Sequence, residues 1–220
     1  MMSPFVIKSP EHAATYYEQS EHSDYYSKDE LCPSKWEGKG AFLLGLQGQA
    51  VNREHFKQYL QGNIAGQKLG TGRAGSKIHK PAFDLTFSPP KSVSVSAIVG
   101  EDDRVKLAHE DAVRKALSYV EDNAIYKRKH TIDEMGRSKM QQINTGNLVA
   151  AVFVHESARS VDGEITPQLH SHAVVMNATN DEDGSWRSIE SRHIWCLQKK
   201  IGLFYRQQLA ANLIDLGYEI

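Results

Sequence analysis

Cysteine is scarce: Cys32 and Cys196 are the only 2 in 220 residues, far apart and in no ligand spacing. That excludes a disulfide-stapled scaffold and a thiolate zinc knot. The expectation is two reduced thiols in a cytoplasmic protein, with Cys196 in an apolar helix. No apolar run is long enough to cross a bilayer and no charged-then-apolar leader opens the chain, so no membrane segment is expected. Internal repeats, low-complexity tracts and linkers are missing too. Nor is there an excess of charge: 26 Lys and Arg stand against 27 Asp and Glu, a formal −1. The chain therefore lacks the overall basic balance usual in nucleic-acid-binding domains. At 220 residues and 40% hydrophobic it does have the material for one domain with a sizeable core.

Charge is segregated along the chain. Residues 66–80 hold Lys68, Arg73, Lys77 and Lys80 with no acid, and residues 126–142 hold Lys127, Arg128, Lys129, Arg137 and Lys139 against Asp133 and Glu134. The first thirty residues hold only Lys8 and Lys28 against six acids. The two basic runs are candidate loops for tracking a phosphate backbone, with solvated loops as the plain alternative. Within the first run, Gly70 to Lys77 resembles a G-x-x-x-x-G-K-[ST] phosphate loop. Its last two residues are reversed and no apolar strand precedes it, which argues against nucleotide binding there.

The predicted elements are a strand at Pro4–Ile7, then a helix opened by Ser9 as N-cap with Pro10 in its first position. A loop region around Trp36 follows, then a helix from an Asn52 cap to Leu60, stopped at Gly62. Residues 82–87 alternate as a half-buried strand. Residues 92–99 are ambiguous, because Ser-Val-Ser-Val alternates like a strand while Ser88-Pro89-Pro90 could open a helix. A strong amphipathic helix spans about 102–122, and 126–142 reads as a hairpin turning near Glu134-Met135-Gly136. Two apolar strands follow, at 147–154 and 168–176, then an edge strand around Trp186 and a last helix over about 190–216 ended by Gly217. The fold class is α+β, a single central antiparallel sheet flanked by helices.

Three histidines fall in those late strands. His170 and His172 are two apart on a strand, so both rings leave one face about 7 Å apart at the backbone. His155 ends the run from Asn147. If the two runs pair antiparallel, three imidazoles converge with no thiolate among them, a ligand set for a divalent transition metal that leaves positions open for substrate. Chance is the plain alternative, since the chain has 10 histidines. Tyr16-Tyr17 and Tyr25-Tyr26 supply four of the chain's 9 tyrosines. A tyrosine hydroxyl is a poor nucleophile until a metal or base polarises its target, and a three-histidine metal beside a phosphate could do that. Asp84 is unusual on a strand, where Asp is depleted; it could simply face solvent.

The ordered set Tyr16-Tyr17, Tyr25-Tyr26, Phe83-Asp84-Leu85-Thr86-Phe87-Ser88-Pro89-Pro90-Lys91-Ser92, Thr145-Gly146-Asn147-Leu148 running to His155, and Pro167-Gln168-Leu169-His170-Ser171-His172 resembles the relaxase domain of F-type (MOBF) conjugative plasmids. These are His-hydrophobe-His (HUH) endonucleases that nick DNA at an origin of transfer. Trp36-Glu37-Gly38-Lys39-Gly40 and Leu44-Gly45-Leu46-Gln47-Gly48 add to the likeness, which spans nearly the whole chain. Ser171 departs from the hydrophobe of the superfamily name.

The resemblance implies a divalent metal (Mg or Mn in use; Zn, Ni or Co possible) on His155, His170 and His172, supported by Asp84. It implies Tyr16 as the leading nucleophile, with Tyr17 beside it, and a second strand transfer to Tyr25 or Tyr26. It implies single-stranded DNA at a plasmid origin, with an adjoining hairpin, held by Lys68, Arg73, Lys77, Lys80, Lys127, Arg128 and Lys129, in company with accessory relaxosome proteins and a coupling protein. Residues 1–220 are then expected to be the relaxase domain of a longer relaxase-helicase, without its C-terminal lid. The alternatives are a metal-containing single-stranded nucleic-acid-binding module with no chemistry, or a hydrolase whose metal activates water.

Overall fold

The computed structural model describes residues 1–11, 13, 17, 33–71, 78–158 and 166–220. Tyr16, Tyr25, Tyr26, Arg73 and Lys77 lie outside them. A five-stranded antiparallel sheet runs in the order β1 (Met2–Ile7), β5 (Ala82–Phe87), β9 (Pro167–Met176), β8 (Ala150–Ser157), β2 (Ser34–Glu37). Three two-stranded ribbons surround it: β3 (Asn63–Ile64) with β4 (Gln67–Lys68), β6 (Tyr126–Ile132) with β7 (Ser138–Asn144), and β10 (Thr179–Asn180) with β11 (Trp186–Arg187). The labelled helices are α1 (Lys39–Leu43), α2 (Arg53–Leu60), α3 (Lys91–Ile98), α4 (Asp103–Ala124) and α5 (Arg192–Asp215). Residues 10, 11, 13 and 17 are helical as well, and the Ser9 carbonyl accepts from the Ala13 N–H at 3.2 Å.

Strand alternation divides the sheet into two faces. Phe83, Leu85, Phe87, Val152, Ala173 and Val175 pack under α4 and α5, whose Val105, Ala112, Val113, Ala116, Ile201, Tyr205 and Leu209 are buried on them. Ala82, Ala151, Phe153, Val174 and Met176 face the other way and are covered by Trp36, Phe56, Leu60 and Tyr17. The caps read in the sequence form: the Asn52 side chain accepts from the Glu54 and His55 N–H groups, and Asp102 accepts from Arg104.

Three expectations are corrected and one open reading is resolved. The segment around Trp36 is not a loop but strand β2, paired with β8 and fully buried at Trp36. Trp186 does not sit on an edge of the main sheet; β11 pairs only with β10, and the sheet's edges are β1 and β2. The ambiguous stretch resolves as helix α3, which opens at Pro90, buries Ser94 and Ala97, and meets β9 where Ser94 Oγ accepts from the Leu169 N–H at 3.1 Å. Cys196 is exposed on α5, not in an apolar environment.

The Trp36-Glu37-Gly38-Lys39-Gly40 motif acts through the backbone. A Cβ at Gly38 or Gly40 would collide with the Leu148 carbonyl, and Gly38 has φ +104. Buried Glu121 of α4 clamps the same junction, accepting from the Lys39 N–H at 2.7 Å and the Leu148 N–H at 2.8 Å. Burial pushes the Glu121 carboxyl up against those hydrogen bonds. This junction ties α1 to the entry of β8, the strand that carries His155.

Candidate active site

The antiparallel pairing of β8 with β9 sets His155 opposite His170 and Phe153 opposite His172. The register shifts between His155 and Ser157, where the ladder breaks just past the histidine. The three rings form a near-equilateral triangle, with centroid separations of 5.2 Å (His155–His170), 5.2 Å (His155–His172) and 5.1 Å (His170–His172). Rings bound to one ion through Nε2 at about 2.1 Å in tetrahedral directions would have centroids about 5.2 Å apart.

Tautomers agree with that spacing. His172 Nδ1–H donates to Asp84 Oδ2 at 2.7 Å and His170 Nδ1–H to the Gln168 carbonyl at 3.0 Å. His155 hydrogen-bonds the backbone of Tyr17, while its buried Nε2 has no hydrogen-bond partner. Each ring thus gives its Nδ1 proton to an oxygen and keeps a lone pair on Nε2, the arrangement of a metal-binding imidazole with its outer partner in place. Among the described residues no group of three ligands is already closed around an ion-sized point, so the fit is one of spacing and tautomer. Desolvation, then the neighbouring His172 and His170, push His155 down to about 3, so it is neutral at physiological pH.

Asp84 comes from the adjacent strand and is 4% exposed. Its Oδ2 gathers the donors: His172 Nδ1 at 2.7 Å, Tyr17 Oη at 2.9 Å and Thr86 Oγ1 at 3.4 Å. Its Oδ1 is buried with no partner. The Tyr17 ring is 5% exposed, stacked on Phe153 at 5.6 Å and tilted against His172 at 5.2 Å. The structure therefore joins Tyr17, Asp84, His155, His170 and His172 in one cluster.

Sequence reasoning misses what stands behind the cluster. Ser171, between the two histidines, points through the sheet to the α4–α5 face. There His109 Nε2 meets Ser171 Oγ at 2.8 Å and His109 Nδ1 meets Tyr205 Oη at 2.8 Å. His109 and Ser171 are 0% exposed. A signal is present: His109 sits within the buried stripe of α4, beside Ala108 and Ala112, where a polar residue needs a partner.

Comparison with known proteins settles the family. Residues 10–220 match the TrwC relaxase family. The chain belongs to it. The multifunctional conjugation protein TraI of Escherichia coli strain K12 is 36% identical over 229 aligned positions, and a second Escherichia coli TraI is 35% identical. Both alignments cover all of this chain but only 12% of those curated relatives. Among solved structures, a metal-bound complex of the conjugative relaxase TrwC with oriT DNA superposes with a TM-score of 0.80 at 37% identity, covering all of this chain and 71% of that one. A copper-bound TrwC complex with oriT DNA gives 0.80 at 38% identity, covering all of this chain and 72% of that one. TrwC with a 27-mer comprising the recognition hairpin and the cleavage site gives 0.78 at 35% identity, covering all of this chain and 70% of that one.

The basic residues of this TrwC-family domain are not equivalent. Lys127 is 5% exposed and ion-paired with Asp181. Arg128 Nε lies 3.0 Å from Glu190 Oε2, and Lys129 is exposed. A cleft of about 420 Å³ opens between this hairpin and the β10–β11 turn, lined on one side by Lys127, Arg128 and Lys129 and on the other by Asp181, Glu182 and Asp183. The ribbon's two faces differ: Lys129 and Lys139 share one, Arg128, His130 and Met140 the other. Lys68 donates to the Gln61 carbonyl at 2.8 Å, and Lys80 is exposed at the other end of its loop.

Proposed function

We propose that this domain is a site- and strand-specific DNA relaxase that nicks a plasmid origin of transfer by tyrosine transesterification, leaving a covalent 5′-phosphotyrosine on the DNA. The observation that carries the reading is the three-histidine triangle with every Nδ1 committed to an oxygen, set against a buried carboxylate that retains a bare Oδ1.

A divalent metal held by His155, His170 and His172, Mg or Mn in the cell, would supply charge neutralisation and polarisation of the scissile phosphate. The chain's own groups do the rest. Three donors hold Asp84 with Oδ2 turned to His172 and Tyr17, leaving Oδ1 to take the proton of an incoming phenol. Tyr17, buried with its hydroxyl donating to Asp84, acts in this scheme as an organising wall, so the nucleophile is its neighbour Tyr16. The Tyr16 oxygen bonds to phosphorus, the bond from phosphorus to the 3′ oxygen breaks, and that oxygen departs as a hydroxyl after gaining a proton. One phosphodiester replaces another, so the step is reversible and needs no ATP. Tyr25 or Tyr26 accepts a second transfer.

The substrate is single-stranded DNA at the origin with an adjoining hairpin, in line with the oriT complexes of TrwC. Lys68, Arg73, Lys77, Lys80, Arg128 and Lys129 are the proposed backbone contacts, and Lys127 supports the hairpin through Asp181. The domain would act in the bacterial cytoplasm with accessory relaxosome proteins and a coupling protein. No helix among the described residues is long and apolar enough to cross a membrane.

The test is incubation with an origin-of-transfer oligonucleotide and Mn, followed by a denaturing gel. A protein–DNA adduct is expected. Binding without adduct identifies a non-catalytic module, and cleavage without adduct a hydrolase.

A further inference from the structure

We propose that Phe5 is a nucleobase-stacking platform that holds one unpaired base of the substrate strand on the sheet edge beside Asp84; this rests on the single-stranded DNA reading above. Phe5 is 63% exposed, the one exposed large hydrophobic side chain among the described residues of the five-stranded sheet. Its register partner on β5 is Asp84. Directly opposed residues send their side chains from the same face, so the ring leaves the sheet beside the carboxylate, about one strand spacing (~4.8 Å) from it. Among the described residues, the other large apolar groups on that face are covered, Phe153 at 1%, Val174 at 0% and Tyr17 at 5% exposure.

What fits this ring follows from its surroundings. β1 is an edge strand, and an exposed edge phenylalanine could serve strand addition. Met1 and Ser88 exchange both backbone hydrogen bonds, so by alternation Ser3 and Phe5 turn their N–H and C=O towards β5 while Pro4 turns outward. Pro4 has no N–H to offer there, which weakens the edge as a template. The neighbours of Phe5 on its own face are Ser3 and buried Ile7, and its cross-strand partner is an acid. Among the described residues, neither this register partner nor the same-face neighbours Ser3 and Ile7 offer a phosphate a positive side chain. An uncharged π surface finds a match, and any base offers one.

The probe is a 15-nucleotide oligodeoxythymidine. Phe5→Ala is expected to weaken its binding about 5- to 100-fold, the range for losing one base–aromatic stack, with an unchanged thermal melt. Phe5→Trp is expected to keep wild-type affinity and to show a fluorescence quench on titration that wild type, with its own 3 tryptophans, does not. Full affinity in Phe5→Ala, no added quench in Phe5→Trp, or no binding by wild type overturns the proposal. Wild type that binds oligothymidine yet makes no adduct with origin DNA defeats the relaxase reading and leaves the stacking one standing; adduct formation with an indifferent Phe5 does the reverse.

Discussion

The two faces of the sheet treat polar atoms in opposite ways. Under α4 and α5, His109 has both nitrogens bonded, to Ser171 and Tyr205, inside an apolar core. On the other face, a few ångströms away through the same strand, Asp84 Oδ1 and His155 Nε2 are buried with no partner. A satisfied buried polar group contributes to the uniqueness of the fold. An unsatisfied one costs stability and is retained where a ligand completes it. Adjacent residues of β9 thus turn to different surroundings: Ser171 is bonded to His109 under the helices, and His170 and His172 face the side of Asp84 and Tyr17.

If that contrast is right, substitutions on the site face should remove activity and leave stability, and those on the helix face the reverse. The largest expected effect is at Tyr16: Tyr16→Phe should abolish the covalent adduct on a denaturing gel with oligonucleotide affinity changed only a few fold. Nicking by Tyr16→Phe with loss in Tyr17→Phe instead would move the nucleophile onto the buried ring. Next come the ligands. His172→Ala and His155→Ala should need far more Mn to form adduct, read by parallel metal and adduct titrations, while a cooperative thermal melt of the metal-free protein is retained because neither side chain belongs to the apolar core under α4 and α5. Wild-type metal binding in His172→Ala would end the three-histidine site. Asp84→Asn keeps the shape but not the charge, and should weaken metal binding or nicking by roughly 10- to 100-fold.

On the helix face, His109→Leu leaves the Ser171 and Tyr205 hydroxyls without partners. It should cost about 2–4 kcal/mol, a fall in Tm of about 5–15 °C for a domain of this size, with nicking per folded molecule preserved. Burial holds His109 down at about 3, against 6.5 for the free side chain. The folded protein therefore refuses a proton that the unfolded chain accepts. Its contribution is full above pH 6.5 and declines as pH falls below that value, at up to about 1.4 kcal/mol per pH unit. Denaturant midpoints at pH 7 and pH 5 should differ more in wild type than in His109→Gln; equal differences would show that His109 is not buried neutral. The smallest effect belongs to the hairpin. Lys129→Ala should flatten the slope of log affinity against log salt by up to about 0.7–0.9. Lys127→Ala should instead lower stability, because it strands Asp181.

Much of the site is legible in the residues alone. Period-two spacing puts His170 and His172 on one face, and the ordered motifs bring Tyr16, Asp84 and His155 into the same family pattern. Asn52 and Asp102 mark their helices because a cap is a contact between residues two or three apart. Strand β2 escapes a local reading because Ser34–Glu37 is too short to show alternation, and its identity depends on pairing with β8. The Lys127-Arg128-Lys129 run looks like three equal cations, whereas Asp181 and Glu190, more than fifty residues away, pair with two of them.

Sequence alone determined the alternation, the caps and the family, since each is carried by residue chemistry at short spacing or by ordered motifs. Tertiary structure decided which atoms are left over. Asp84 has one bonded oxygen and one bare, Ser171 turns to His109 rather than to the side of Asp84, and Phe5 is exposed beside a carboxylate on an edge that Pro4 weakens as a template for further strands. A hydrogen bond or an orphaned lone pair is a property of two or more chain segments meeting in space, and no local pattern encodes it.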